Sequence, residues 1–336
     1  MRIITDMLLT DRQRIYWIDI AKAIAIILVI IGHTVKFGGI SRNFIFSFHM
    51  PLFFLLSGYT MHLAKTRRDL KMHMQKNALH LLGPCVLIGI LSILWNFLNG
   101  NNHSLDTLWY LLKKIADAYY WASGVSFHSH PAAGAVWFLF SLFWAKTYMD
   151  GVALLFSEKR VGFIYLGTGI LGILLGFKGN WIPQNWDVTM VAVLFIYLGM
   201  IWKQYAVFFE KYELPICLFS SIIWLYCLNL GIYITMASRR YPYMSVSILE
   251  ALCGTFVICC ICKTLAQNKM IRDSMGYIGR HTLLIFSIHC LDSSLICVWG
   301  SYGIVLKNIL RVGIVLGLSF LFLSFQNFFN KLMRGC

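Results

Sequence analysis

Apolar residues in this chain fall in long unbroken runs, not in the short alternation of strands or the narrow stripe of a surface helix. Ala23–Ile31 and Pro51–Leu56 lie in two such runs, and further runs follow at short intervals to the end of the chain. About 20 apolar residues cross a bilayer as a helix, and only helices satisfy the backbone inside such segments. The pattern predicts spans at about 17–36, 44–64, 79–98, 132–150, 161–177, 187–203, 214–234, 245–263, 277–299 and 303–327. Segment 104–122 mixes aromatic residues with Lys113, Lys114 and Asp117, and predicts a helix lying along the interface. The expected fold class is therefore all-α: a polytopic membrane bundle of about ten transmembrane helices.

Composition strengthens this reading. The 336 residues are 59% hydrophobic and 13% charged. That is about half the charged share of a soluble domain. One membrane domain over 17–330 is expected, between an amino-terminal tail at 1–16 and a carboxy-terminal tail at 331–336. The first span carries Asp19 and Lys22 and no small-residue cleavage site follows, which predicts a retained helix rather than a signal peptide.

A net charge of +15 raises the question of nucleic acid, but the basic residues lie in short clusters between apolar runs. With the amino terminus inside, 19 Lys and Arg fall on the inner side and 9 on the outer. Basic residues accumulate on the cytoplasmic side, so both termini are expected there, in a cell (plasma or inner) membrane. The ten cysteines are scattered and mostly in apolar runs, where they read as small buried hydrophobes.

Candidate chemistry begins with His33, a titratable ring at the end of an apolar run. Such a residue marks a functional site by default. Asp19, Lys22 and His33 fall within a sector of roughly 60° on one helix face. Lys22 and His33 are about 16 Å apart along the axis, so they line a lane and form no single triad. Asp19 and Lys22, at i and i+3, are placed to neutralise each other. His49 opens the next helix at a similar depth. An imidazole suits proton abstraction from an acceptor hydroxyl, and two could divide that work; the alternative is that each donates to a backbone carbonyl and packs helices. Ser57-Gly58 read as a close helix contact.

The cluster Lys65–Lys76, with Arg67, Arg68 and Lys76, anchors topology and also offers a site for the phosphates of a cytosolic donor. Glu250, His289 and Asp292 lie inside expected spans and read as interhelical polar contacts or cavity lining. His128-Ser-His130 supplies two metal-type ligands without a third, so no metal is expected.

Four stretches carry a family resemblance. They are Asp19…Lys22…Gly32-His33, Ser47-Phe-His-Met-Pro-Leu-Phe-Phe-Leu-Leu-Ser-Gly-Tyr59, Val136-Trp-Phe-Leu139 and Ile278-Gly-Arg-His-Thr-Leu-Leu-Ile-Phe-Ser-Ile-His289. Together they resemble the acyltransferase-3 family of integral membrane O-acyltransferases, especially its fucose 4-O-acetylase-like branch. The resemblance implies transfer of an acyl group, usually acetyl from cytosolic acetyl-CoA, to a hydroxyl of an extracytoplasmic glycan or cell-surface molecule. By position it implies His33 as the catalytic residue, with Lys22 and the basic cluster near the donor. One departure stands out: the family's Arg-Leu-Leu-x-Pro-Tyr-like stretch reads His80-Leu-Leu-Gly-Pro-Cys85 here, so Lys76 or Arg68 would have to replace that arginine.

Two other classes stay open on the residues alone. A transporter also carries polar residues in its spans, although no repeated halves are visible. A membrane sensor or assembly partner would make the histidines incidental.

Overall fold

Helices occupy every one of the ten apolar segments and some of the polar sequence between them. The computed structural model describes residues 14–35, 39–100, 102–179, 181–292 and 303–335. The readings that fall on residues 1–13, Lys36, the Asp292 side chain, Cys297 and Cys336 lie outside the described residues. In chain order the helices are α1 (Tyr16–Gly32), α2 (Ile40–Tyr59), α3 (Arg67–Asn77), α4 (Gly83–Leu98), α5 (Leu105–Trp121), α6 (Trp137–Leu155), α7 (Glu158–Phe177) and α8 (Trp186–Gln204). They continue with α9 (Ala206–Lys211), α10 (Glu213–Asn229), α11 (Ser245–Leu265), α12 (Lys269–Arg280), α13 (Thr282–Asp292) and α14 (Ile304–Gly335).

Among the described residues, six helical stretches are long and apolar enough to cross a membrane: Arg67–Leu98, Gly134–Leu155, Glu158–Gly176, Pro183–Gln204, Ser245–Leu265 and Ile304–Phe328. Helices α1, α2, α10 and α13 also fall on expected spans but are shorter or more polar. The outward faces of α4, α7, α10 and α14 expose large apolar side chains such as Leu87, Phe163, Phe219 and Leu321.

Three expectations change in detail. The basic segment 65–76 is not a loop but helix α3. Thr66 starts it with a capping box: its hydroxyl accepts from the Asp69 N–H at 3.1 Å, and the Asp69 carboxylate accepts from the Thr66 N–H at 2.9 Å. Its polar helix formers leave no apolar run, so hydrophobicity alone misses it. The helix then runs through a π turn, Ala78–Leu82, directly into α4. The span expected at 277–299 begins with a break at His281, where α12 ends and α13 starts. The final helix continues to Gly335, past the expected end at 327.

Helix α1 is the hub. It packs on α2, α11, α12, α13 and α14, while α2 also packs on α8, α10 and α11. Glycines set the closest approaches. A Cβ at Gly58 would lie 1.8 Å from the Ile196 carbonyl oxygen, and one at Gly199 would lie 2.0 Å from the Leu55 oxygen. The α2–α8 contact is thus backbone against backbone from both sides, the use of small residues that membrane packing favours. Gly279 does the same for α12 on α1, where a Cβ would fall 1.9 Å from the Asp19 oxygen. Phe48, Leu52, Ile20 and Cys259 fill the core around α1, α2 and α11; Phe54, Leu139, Val191 and Phe195 fill that around α6 and α8.

Candidate active site

Four positions on α1, spaced as i, i+4, i+7 and i+11, line a succession of cavities: Lys22, Ile26, Val29 and His33. That is one helical face, as the sequence spacing required. An inner cavity of about 260 Å³ holds Lys22 together with Asn77, His80 and Lys146, and with Ser57 and Thr60 from the end of α2. An outer chamber of about 380 Å³ holds His33, Arg42, Phe46 and His49 under the loops at Gly124–Val125 and Ile234–Ser238. Val29, Met50 and Phe286 line both, so these three apolar side chains stand where the two cavities adjoin, as a partition between Lys22 and His33.

His33 ends α1 as its C-cap, with its N–H on the Val29 carbonyl at 3.3 Å. Two contacts hold that end in place. The Thr34 hydroxyl bonds the Asn308 side chain on α14, and Arg42 Nη1 donates to the Gly32 carbonyl at 2.8 Å. A guanidinium at a helix carboxy terminus meets the negative end of the dipole. The His33 ring is exposed to open cavity space, not sealed in packing. A third, side chamber of about 350 Å³ also reaches it, lined further by Ser92, Tyr119, His289 and Arg311.

His49 is buried on α2 and its Nδ1 lies 2.7 Å from the Ile45 carbonyl oxygen. A carbonyl only accepts, so Nδ1 carries the proton and Nε2 is left as an acceptor, the form a general base needs. The Phe46 ring neighbours both expected partners, with its centroid 4.8 Å from His49 and 6.4 Å from His33. The ring nearer His33 is that of His289, buried on α13 at a centroid distance of 5.2 Å.

A family model described as an acyltransferase domain matches residues 15–325, nearly the whole chain. The chain belongs to the acyltransferase-3 family. It is a multi-pass membrane acyltransferase, with the long apolar helices that this requires. No curated protein and no solved structure matches it.

In this acyltransferase the expected site residues divide into three groups. His33 and His49 share the outer chamber, and Lys22 faces the inner cavity. Arg67, Arg68 and Lys76 are exposed on α3 and line neither. His80 does line the inner cavity, carried there by the π turn, so the residue standing where the family has arginine faces the same space as Lys22. Asp19 Oδ2 accepts from Arg14 Nε at 2.7 Å, so Asp19 serves Arg14 by direct contact and acts on Lys22 only as a nearby charge. Arg14 reaches back from the turn before α1, and Lys22 is left to the cavity.

Lys146 and Arg311 are not among the residues the sequence singles out. Both lie within expected spans, and a charge inside an apolar run was the available signal. Arg239 is likewise not singled out by the sequence. That side chain is buried and bonded twice to Asp187, Nε to Oδ2 at 2.5 Å and Nη2 to Oδ1 at 3.2 Å. It also donates to Asn185 Oδ1 at 2.7 Å and stacks 3.6 Å over the Trp181 ring. This knot ties the 234–240 loop to the start of α8 and fixes the roof of the outer chamber. Glu250 is buried beside the Ser47–Trp224 hydrogen bond and lines none of these cavities. His130 pairs with Asp117 at 3.0 Å.

Proposed function

We propose that this acyltransferase moves an acetyl group from cytosolic acetyl-CoA to a hydroxyl of an extracytoplasmic glycan or related cell-surface molecule. The protein then sits in the plasma or inner membrane with both termini in the cytoplasm, as its charge distribution supports. The observation that carries the reading is the shared lining of the two cavities: Val29, Met50 and Phe286 face both the Lys22–Lys146–His80 cavity and the chamber of His33 and His49. Two ammonium groups and an imidazole, with no carboxylate in that lining, suit the phosphates of a CoA donor. The thiol arm extends past the partition and presents the thioester at His33.

There His33 takes the proton of the acceptor hydroxyl as its oxygen attacks the thioester carbonyl. The new C–O bond forms, the C–S bond breaks, and the departing CoA thiolate takes the proton back from His33 to leave as the thiol. His49, proton-bearing on Nδ1, offers Nε2 to the acceptor in the same chamber. Incubating the reconstituted protein with radiolabelled acetyl-CoA and a cell-surface glycan fraction tests this. Label should enter the glycan with wild type and not with His33→Ala; equal incorporation by both would defeat the reading.

A further inference from the structure

Acyl transfer makes one demand that His33 and His49 leave unmet. When the acceptor oxygen attacks the thioester, the carbonyl oxygen takes up negative charge and needs a hydrogen-bond donor beside it. The start of α6 brings donors to the wall of the outer chamber. Gly134 and Ala135 open the continuous helical stretch Gly134–Leu155, and both line that chamber. The first N–H groups of a helix have no intrahelical partner and carry the positive end of its dipole. Gly134 enters the helix at φ +67°, and a Cβ on it would meet nothing within 4 Å, so open space lies beside it. His33 borders the same place: His33, Gly134 and Ala135 are the three residues shared by the linings of the outer and side chambers.

Trp137 follows three residues after Gly134. It is 4% exposed and lines the outer chamber, with the Phe54 ring 6.4 Å away between centroids. An indole N–H only donates, and a buried one ordinarily has an acceptor. Among the described residues that of Trp137 has none, and it is not one of the polar atoms sealed in packing, so it opens onto the chamber. Gly124 shows which way the ring is turned. A Cβ there would lie 2.6 Å from Trp137 Cδ1 and 3.0 Å from Nε1, so the nitrogen edge rests against a loop residue that itself lines the chamber. The Ser238 hydroxyl in the same lining, by contrast, donates to the Thr235 carbonyl at 3.4 Å.

We propose that Trp137 is a catalytic residue of this acyltransferase: its Nε1–H, together with the N–H groups at the Gly134–Ala135 helix start, binds the oxyanion of the tetrahedral intermediate beside His33. The acceptor oxygen bonds to the carbonyl carbon as its proton passes to His33, and the π pair moves onto the carbonyl oxygen, to which these N–H groups donate. The C=O bond re-forms as the C–S bond breaks, and the CoA thiolate takes the proton back from His33. The inference rests on the acyl-transfer reading above for the place of the thioester.

The test uses the full chain in nanodiscs, with 3-benzothienylalanine in place of Trp137 in one protein and Trp137→Phe in another. The first puts sulfur where the N–H was and keeps the size of the ring. It should melt as wild type does and bind CoA as tightly, while kcat for acetyl transfer falls by about 10²–10³-fold at unchanged acceptor KM, the usual effect of losing one oxyanion donor. Trp137→Phe should lose at least as much. A kcat within about threefold of wild type for the isostere would overturn the proposal, even beside an inactive, low-melting Trp137→Phe protein, because the ring would then act by packing. A loss confined to acceptor KM would overturn it equally, since it would make the indole a binding contact. His33→Ala in the same assay separates this inference from the reading it rests on: full activity there would count against His33 as the base, whereas the isostere reports on the oxyanion.

Discussion

The imidazoles of His33 on α1 and His289 on α13 lie 5.2 Å apart between ring centroids, at the meeting point of two chambers. The pairing joins a residue near one end of the chain to one near the other. His33 is the one histidine that faces both the outer and the side chamber. Replacing it by alanine should lower the transfer rate by 10²–10⁴-fold, about what general acid–base catalysis contributes, with the protein still folded in the membrane. Initial rates with acetyl-CoA in excess check this. Activity within about a factor of three of wild type removes His33 from the mechanism.

The donor site separates by charge position. Lys22 and Lys146 face the inner cavity, whereas Arg67 and Arg68 point to solvent from α3. Lys146→Met and Lys22→Met should each raise the apparent KM for acetyl-CoA several-fold. Arg67→Glu/Arg68→Glu should change it less and in a salt-dependent way, because exposed charges are screened. Donor KM values across a salt series distinguish the two; a larger effect from the double arginine variant would move the phosphates to α3.

Packing of α2 on α8 depends on two glycines. A methyl group at Gly58 would overlap the Ile196 carbonyl, and one at Gly199 would overlap the Leu55 carbonyl. Gly58→Ala or Gly199→Ala should destabilise the bundle by roughly 1–3 kcal/mol or more, the usual range for overpacking. Thermal melts in detergent read this directly. Melting unchanged from wild type would mean the helices stand further apart.

The Arg239–Asp187 pair makes a different prediction. Removing one partner leaves a buried charge behind, which costs roughly 3–5 kcal/mol, whereas replacing both by apolar groups costs far less. Asp187→Ala should therefore melt lower than the Asp187→Leu/Arg239→Met double variant. The reverse order would indicate that the pair is solvated.

Much of this was legible in the sequence, for identifiable reasons. Apolar runs located the helices because burial in lipid leaves little else for them to be. That Lys22 and His33 share one helix face followed from helical spacing alone, whereas Asp19, expected on the same face, lines none of the cavities; Gly58 was readable as a contact residue from its place beside Ser57. The residues that were missed owe their position to tertiary structure. Lys146 and Arg311 sit on helices whose rotation no local pattern fixes, and Arg239 is buried only because Asp187 and Trp181 converge on it from another loop. Helix α3 stayed hidden because its signal is a capping box and not an apolar face. The direct partner of Asp19 was not legible because Arg14, five residues before it and outside the helix, takes the contact, leaving Lys22 with Asp19 only as a nearby charge.

The central claim is that the acyl group passes through the protein, from the Lys22 cavity to His33 on the other side of the Val29–Met50–Phe286 partition. Proteoliposomes with the protein in one orientation test it most directly. Acetyl-CoA supplied only to the face that carries α3 should acetylate an acceptor confined to the opposite face. Product formed only when donor and acceptor share a compartment would contradict the through-protein route.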